Sequence, residues 1–331
     1  MSLRRFATAL LPLLFAPAFA GAALAQQGLV LESKIALGDI KGRIDHLAID
    51  LKRQRLFVAE LGNNSLGVVD LKEGKVAKRI PGLDEAQGVA YVAATDTVYV
   101  AAGGGGAVSL FSGDDLAPRA KIALGRDPDN VRVDADGKRV YVGYATGALA
   151  VIDAEKLTKL SDVPLPAHPE GFQLYPADGR IFVNVPSAGG QIAVIDAAAG
   201  KQVGSWKLPN AGGNFPMAVD PQAGQLLVVT RSPAKLFVLD ARSGGAVEEF
   251  DTCGDADDVF VDGKRDRYYV ACGEGTVDIY EFEEQTFRRN RVKTAPGART
   301  ALFVPELDRL FVAVRATGDE PAAVWVFRPT R

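Results

Sequence analysis

The two cysteines of the chain, Cys253 and Cys272, enclose an acidic segment that could support several kinds of chemistry. Asp255, Asp257 and Asp258 follow Cys253 closely, so the segment could hold a metal ion, a redox-active thiol pair or a disulfide. Reactive thiols need basic neighbours that lower their pKa, whereas these cysteines lie among acids. Two cysteines in an oxidising compartment suit one bridge. We therefore predict that a disulfide joins them.

A second set of polar residues, spread along the chain, combines carboxylates, arginines and both histidines. Oxygen ligands for Ca²⁺ or Mg²⁺ would come from Asp45, Asp129, Glu170 and Asp257. Adding the histidines would suit a transition metal. Alternatively, the arginines could hold the anionic group of a ligand while the acids bind its polar or cationic part. The sequence does not decide between these alternatives, and whether a metal binds is left unknown. The predicted ligand-binding residues are Arg43, Asp45, His46, Gln87, Asp127, Asp129, Asn130, His168, Glu170, Asp257, Asp258, Arg299 and Arg315.

Motifs of common catalytic and cofactor sites are absent from the sequence. The chain contains no G-x-S-x-G elbow, no Walker loop and no C-x-x-C-H motif for covalent haem. The glycine run 103–106 does not fit a dinucleotide fingerprint, and the segment 134–137 lacks the downstream glutamate of a calcium loop. We predict no catalytic residues and no haem or nucleotide cofactor, and leave a divalent cation open.

Short strands that recur along the chain would bring these residues together. Their central residues lie 41 to 45 residues apart, and a second apolar column lies ten residues upstream of each. Four strands in about 42 residues are typical of a β-propeller blade. Seven repeats predict an all-β, seven-bladed β-propeller with four-stranded blades. The central residues are Phe57, Tyr99, Tyr141, Phe182, Leu227, Tyr269 and Phe311.

The two ends of the chain complement each other. The last repeat has only three predicted strands and finishes with 323–327, whereas a lone strand, 29–37, precedes the first repeat. We predict that this N-terminal strand completes the last blade, which closes the ring and removes a free sheet edge. No linker-like segment divides the chain, so residues 26–331 are predicted to form one propeller domain.

The repeat resembles the YVTN repeat. Segment 55–82 reads as a strand, an asparagine-containing turn, a Val-Val-Asp strand and then Gly-Lys-Val, and segment 191–209 reads as a Val-Ile-Asp strand followed by Gly-Lys-Gln-Val. The tetrapeptide itself differs, because Phe-Val-Ala or Tyr-Val-Ala stands in its place. The resemblance implies a YncE-like seven-bladed propeller of the bacterial envelope. It implies no catalytic signature that could be transferred to this chain.

In a propeller, the residues at the start of the inner strands converge on the mouth of the central channel, where ligands usually bind. One column at this position contains four acids and an arginine, and the neighbouring column contains His46. Crowded carboxylates repel one another unless a cation, an arginine or water relieves the repulsion. We therefore favour a binding pocket over simple capping of strand ends. The first column is Asp45, Gln87, Asp129, Glu170, Phe215, Asp257 and Arg299.

Residues 1–25 are typical of a secretory signal peptide, with a basic start, a short apolar run and an Ala-Leu-Ala site. Cleavage would release a mature protein into the periplasm and change its net charge from −3 to −5, because Arg4 and Arg5 are removed. That acidity disfavours nucleic acid as a partner. No later stretch reaches the roughly 20 apolar residues of a membrane span. We expect a monomer.

Together these features predict an exported, non-enzymatic propeller that binds a small ligand, a metal ion or an envelope protein at the channel mouth. Two alternatives remain. The same face could carry a metal-assisted hydrolase, lactonase or lyase site, since a divalent ion can activate water there. Alternatively, the protein could be a scaffold for protein interactions only.

Overall fold

The computed structural model describes residues 28–144, 147–283, 286–318 and 320–330. The predicted signal peptide lies outside these residues. Regular structure in the described residues is β-strand, apart from two short 3₁₀ turns at Leu61–Asn63 and Pro186–Ala188. Within the same residues, no helix is long and apolar enough to cross a membrane.

Seven antiparallel four-stranded sheets form the blades, and the strands are numbered here in chain order. Blade one contains β2 (Leu47–Asp50), β3 (Arg55–Glu60), β4 (Ser65–Asp70) and β5 (Lys75–Pro81). Blade two contains β6 (Ala86–Val92), β7 (Thr97–Ala102), β8 (Ala107–Ser112) and β9 (Pro118–Ala123). Blade three contains β10 (Val131–Val133), β11 (Arg139–Tyr144), β12 (Ala148–Asp153) and β13 (Thr158–Pro164). Blade four contains β14 (Phe172–Tyr175), β15 (Arg180–Val185), β16 (Gln191–Asp196) and β17 (Lys201–Lys207).

The remaining three blades follow the same pattern. Blade five contains β18 (Gly212–Asp220), β19 (Gln225–Ser232), β20 (Ala234–Asp240) and β21 (Ala246–Asp251). Blade six contains β22 (Ala256–Asp262), β23 (Arg267–Cys272), β24 (Thr276–Glu283) and β25 (Thr286–Lys293). Blade seven contains β26 (Ala301–Val304), β27 (Arg309–Val314), β28 (Ala323–Pro329) and, as its outer strand, β1 (Leu29–Ala36). The predicted seven-bladed propeller is confirmed.

Closure of the ring follows the predicted route. β1 pairs antiparallel with β28, from Leu29 opposite Pro329 to Ala36 opposite Ala323. Leu29 packs in the cluster between blades six and seven, whereas Ile35 packs in the cluster between blades seven and one. The N-terminal strand therefore contributes to the cores on both sides of blade seven as well as covering its edge.

The core lies between neighbouring blades. The second strands are buried on both faces, and all six residues of β7 are buried, because each blade is covered by the blade before it and the blade after it. The fourth strands carry the exposed polar residues, as the alternating exposure of β17 illustrates. This packing holds the inner strands in a fixed ring, and the residues at their start are therefore held close together.

The disulfide between Cys253 and Cys272 is formed, with the two Cα atoms 5.9 Å apart and both side chains buried. Cys253 precedes β22 and Cys272 ends β23, so the bridge joins two neighbouring segments of blade six. The next residue after the bridge, Gly273, donates its N–H to the carbonyl of Asp255 at 2.8 Å. The bridge thus anchors the acidic loop beside it.

Replacing both cysteines by alanine should lower the free energy of unfolding by roughly 3 kcal/mol. The reason is that a bridge across 19 residues restricts the unfolded chain by about that amount. Denaturant unfolding measures the difference, and peptide mapping without reductant identifies the bridge. Free thiols in the native purified protein would contradict the pairing.

Candidate functional site

A polar cavity of about 240 Å³ opens at the mouth of the central channel. It brings together every predicted ligand-binding residue except Arg315, which lies instead against Gly297. Six further residues line the cavity that were not among the predicted ligand-binding residues. They are Arg132, Gly171, Phe215, Pro216, Met217 and Arg231.

Equivalent backbone hydrogen bonds place the acidic residues at the mouth. The N–H groups of Asp45, Asp129 and Glu170 donate to a carbonyl at the end of the second strand of the same blade, at 2.8, 2.9 and 2.9 Å. Because the bond recurs at the same repeat position, the three carboxylates point towards the same space. The residues sit on rigid strand starts rather than on long loops.

Close approach between blades also depends on a glycine. A Cβ atom at Gly88 would lie 2.0 Å from the carbonyl oxygen of Asp129, a distance that no side chain tolerates. Glycine at this position therefore lets the backbone of blade three approach blade two. The approach carries Asp129 towards the carboxylate of Asp45.

One half of the cavity consists of paired charges. The guanidinium of Arg231 donates to Asp257 at 2.6 Å, and Arg299 contacts the same carboxylate at 2.8 Å. Arg299 also donates to both carboxylate oxygens of Asp255 at 3.0 Å. Burial and the charge of Asp45 raise the pKa of Asp257 to about 6, although the two arginines oppose the shift.

His46 forms a buried positive charge between two carboxylates. Its Nε2 lies 3.8 Å from Asp45 and its Nδ1 lies 3.8 Å from Asp258. Burial alone would lower the pKa of His46, but its interaction with Asp258 and the charges of Asp45 and Asp129 raise it to about 10. A protonated imidazole has no lone pair for a metal, so these contacts favour charge pairing over metal ligation for His46.

The other half of the cavity has no arginine partner among the described residues. Ligand atoms of Asp129, His168 and Glu170 all lie within 4.8 Å of one another. Asp129 Oδ1 and His168 Nδ1 are buried without a hydrogen-bond partner. Burial lowers the pKa of His168, against the charge of Asp127, which favours the neutral imidazole that metals bind.

Both carboxylates of this half hold their protons unusually strongly. Burial, followed by the charge of Asp45, raises the pKa of Asp129 to about 8, and protonated His46 only partly opposes the shift. Burial, followed by the charge of Asp257, raises the pKa of Glu170 to about 7. Burial is the largest cause of both shifts, and no ion pair of Asp129 or Glu170 in the described residues offsets it.

The four carboxylates of the predicted oxygen-rich ligand set all line the cavity, but they differ in their partners. Asp45 accepts from Arg43 at 3.1 Å, and Asp257 is held between Arg231 and Arg299. Only Asp129 and Glu170 remain without an ion pair in the described residues, and His168 joins them. Asp127 accepts from the amide of Gln87 at 2.9 Å, beside this group.

Arg231 shows what the sequence analysis missed. It lies four residues after Leu227, the central residue of β19, and Arg315 occupies the same repeat position just after β27. Arg231 lines the cavity and stacks on Phe215, with its guanidinium carbon 3.8 Å from the ring centroid. Arginine at this repeat position is the sequence signal that indicates Arg231, although it also indicates Arg315, which does not line the cavity.

The fold and the site define a seven-bladed β-propeller with a charged cavity at its channel mouth. No family model matches the sequence, and no curated protein matches it. Among solved structures, Kuenenia stuttgartiensis hydrazine synthase aligns with a TM-score of 0.74 and 16% identity, over 84% of this chain and 95% of that chain. A chain of a mitotic checkpoint complex aligns with a TM-score of 0.76 and 12% identity, over 96% and 98%. At these identities the similarity concerns the fold alone.

Proposed function

We propose that this protein binds a divalent transition-metal ion at the channel mouth through Asp129, His168 and Glu170. The observation that supports the proposal is a pair of buried atoms, Asp129 Oδ1 and His168 Nδ1, that have no hydrogen-bond partner. Ligand atoms of their two residues and of Glu170 lie within 4.8 Å of one another. A buried polar atom without a partner destabilises the fold. Coordination of a cation would satisfy both atoms and neutralise the carboxylates.

The donor set favours some ions over others. One imidazole nitrogen and two carboxylates suit Zn²⁺, Mn²⁺ or Fe²⁺, whereas Ca²⁺ prefers six to eight oxygen ligands. Asn130 also lines the cavity, is only 4% exposed and has an unpartnered Oδ1. Its amide supports a ligand that carries a hydrogen-bond donor, such as a metal-bound water.

The setting of this activity is part of the proposal. The chain is proposed to be an exported, YncE-like propeller of the bacterial periplasm, which the disulfide supports because such bridges persist in oxidising compartments. A small ligand or an envelope protein would then reach the metal through the open mouth of the channel.

Metal-assisted hydrolysis, as by a lactonase, is the second candidate function. Three protein ligands would leave coordination positions for water and substrate, which is the arrangement of catalytic rather than structural metal sites. Turnover of lactones or esters by the Zn²⁺-loaded protein, absent in Glu170→Gln, would favour this candidate. Metal binding without turnover would favour the binding protein.

Calorimetric titration tests metal binding directly. We expect one Zn²⁺ or Mn²⁺ per chain, with Ca²⁺ much weaker, and Glu170→Gln should weaken the affinity at least about tenfold. Asp127→Asn is the matched control, because Asp127 already accepts from Gln87 and is not in the ligand group. Equal losses in the two variants, or no binding to the wild type, would overturn the proposal and favour a protein-interaction scaffold.

A further inference from the structure

Arg132 occupies an unusual position for a charged side chain. It is the middle residue of the inner strand β10 and lines the mouth cavity. Together with Met217 and Asp258 it also lines a second cavity of about 380 Å³ further along the inner strands. Arg132 therefore borders two cavities on the channel side of the blades.

The pairing of Arg132 differs from that of the other arginines at the mouth. Arg43, Arg231 and Arg299 each contact a carboxylate at 3.1 Å or less. The hydrogen bond found for Arg132 goes to the carbonyl of its neighbour Val131, at 2.9 Å. In the described part of the chain, no carboxylate oxygen lies within 4.0 Å of its guanidinium.

Such an arginine has donors left over for a ligand. A guanidinium presents five N–H groups in a planar fork that matches the two oxygens of a carboxylate. Only one of those groups is used in the hydrogen bond to Val131. The aromatic ring of Phe172, 5.8 Å from the guanidinium carbon, supports the side chain without consuming a donor.

The other lining arginines already have anionic partners. Arg43 binds Asp45, Arg231 binds Asp257, and Arg299 binds both Asp255 and Asp257. Arg132 is therefore the lining arginine whose positive charge is left for an anionic ligand. A buried charge is stabilised when it gains a hydrogen-bonded partner of opposite sign.

We propose that the mouth binds a small monocarboxylate together with the metal ion, with one ligand oxygen on the metal and the carboxylate held by Arg132. This inference rests on the proposed metal site, because the three protein ligands leave coordination positions open. It identifies the ligand of the propeller as an anion that chelates a cation, rather than a cationic or apolar molecule.

Titration of glycolate, a small hydroxycarboxylate, into Mn²⁺-loaded and metal-free protein tests the inference. Glycolate should bind the loaded wild type at least about tenfold more tightly than the metal-free protein. Arg132→Met should weaken glycolate binding at least about tenfold, because the ionic partner is lost. The same change should leave Mn²⁺ affinity unchanged or higher, since a nearby positive charge no longer repels the ion. A purely structural role for Arg132 would not produce these opposite effects.

Two further variants keep the outcome decisive. Arg315→Met is the matched control outside the cavity and should change neither affinity. If Arg132→Met does not fold, Arg132→Lys should retain Mn²⁺ binding and lose most glycolate affinity, because lysine lacks the planar fork.

The results that would overturn the inference differ from those that would overturn the metal site. Mn²⁺ binding without glycolate binding would overturn the proposed carboxylate site and leave the proposed metal site standing. So would tighter binding of inorganic phosphate than of glycolate, or wild-type glycolate affinity in Arg132→Met. Absence of Mn²⁺ binding in the wild type would overturn the metal site and this inference together.

Discussion

A variant without residues 26–38 should aggregate or unfold far below the melting temperature of the intact chain. The deletion exposes the edge of β28 and removes the buried side chains of Leu29, Ile35 and Leu37. Burial of each contributes about 1.5–3 kcal/mol, so together they account for about 5–9 kcal/mol, comparable with the whole stability of a typical domain. The exposed edge would also pair with other chains.

Point variants distinguish the loss of the packing of β1 from other consequences of deleting the whole segment. Ile35→Asp places a charge in the cluster between blades seven and one, whereas Ser33→Asp changes an exposed residue of the same strand. We expect severe destabilisation from the first and almost none from the second in thermal unfolding and size-exclusion chromatography. A deletion variant that stays soluble and equally stable would show that the strand does not close the ring.

The second large effect concerns pH. The metal-free protein should lose stability as the pH rises from about 5 to about 9. Asp129, Glu170 and Asp257 have raised pKa values of about 8, 7 and 6, so in this range the folded chain retains protons that the unfolded chain has released. Each increase in pH then favours the unfolded state. His46 acts in the same direction, because the stabilisation from its raised pKa is present below about 6.5 and is lost towards about 10.

Asp129→Asn should remove much of this dependence. Asparagine resembles the protonated carboxyl group, so the variant should match the wild type near pH 5 and exceed its stability at pH 9 by at least about 1.4 kcal/mol, the equivalent of one pKa unit. Saturating Mn²⁺ should stabilise the wild type more as the pH rises, because the metal needs the deprotonated carboxylate. The variant should lose most of that metal response.

Thermal unfolding over this pH range, with and without Mn²⁺, measures both effects. A variant that is less stable than the wild type at every pH would identify Asp129 as a structural capping residue. In that case the loss of a cap costs roughly 0.5–2 kcal/mol and brings no compensating gain.

The sequence contained enough information for the fold because the signal is repeated. Phe57 and Tyr99 are one pair in a column of seven, and any single strand could be misassigned without changing the period. Closure of the ring could also be predicted from the sequence, since a lone strand near the N-terminus matches the missing fourth strand of the last repeat. Both features depend on spacing along the chain, which the sequence records directly.

The sequence predicted the site only in outline. Column positions placed Asp129 and Asp257 at the mouth, but nothing in the spacing shows that Arg231 neutralises Asp257 while Asp129 is left unpaired. That difference depends on distances between side chains of blades that are far apart in sequence. Arg132 was not predictable for a related reason, since a charged residue inside a three-residue strand resembles an ordinary exposed position.

Anomalous diffraction from crystals equilibrated with Zn²⁺ tests the central claim most directly. We expect one strong peak at the channel mouth, about 2.0–2.2 Å from a carboxylate oxygen of Asp129, a carboxylate oxygen of Glu170 and a ring nitrogen of His168. The paired carboxylates Asp255 and Asp257 should carry no peak. Well-ordered Asp129, His168 and Glu170 side chains without a peak between them, at a Zn²⁺ concentration that saturates binding in solution, would contradict it.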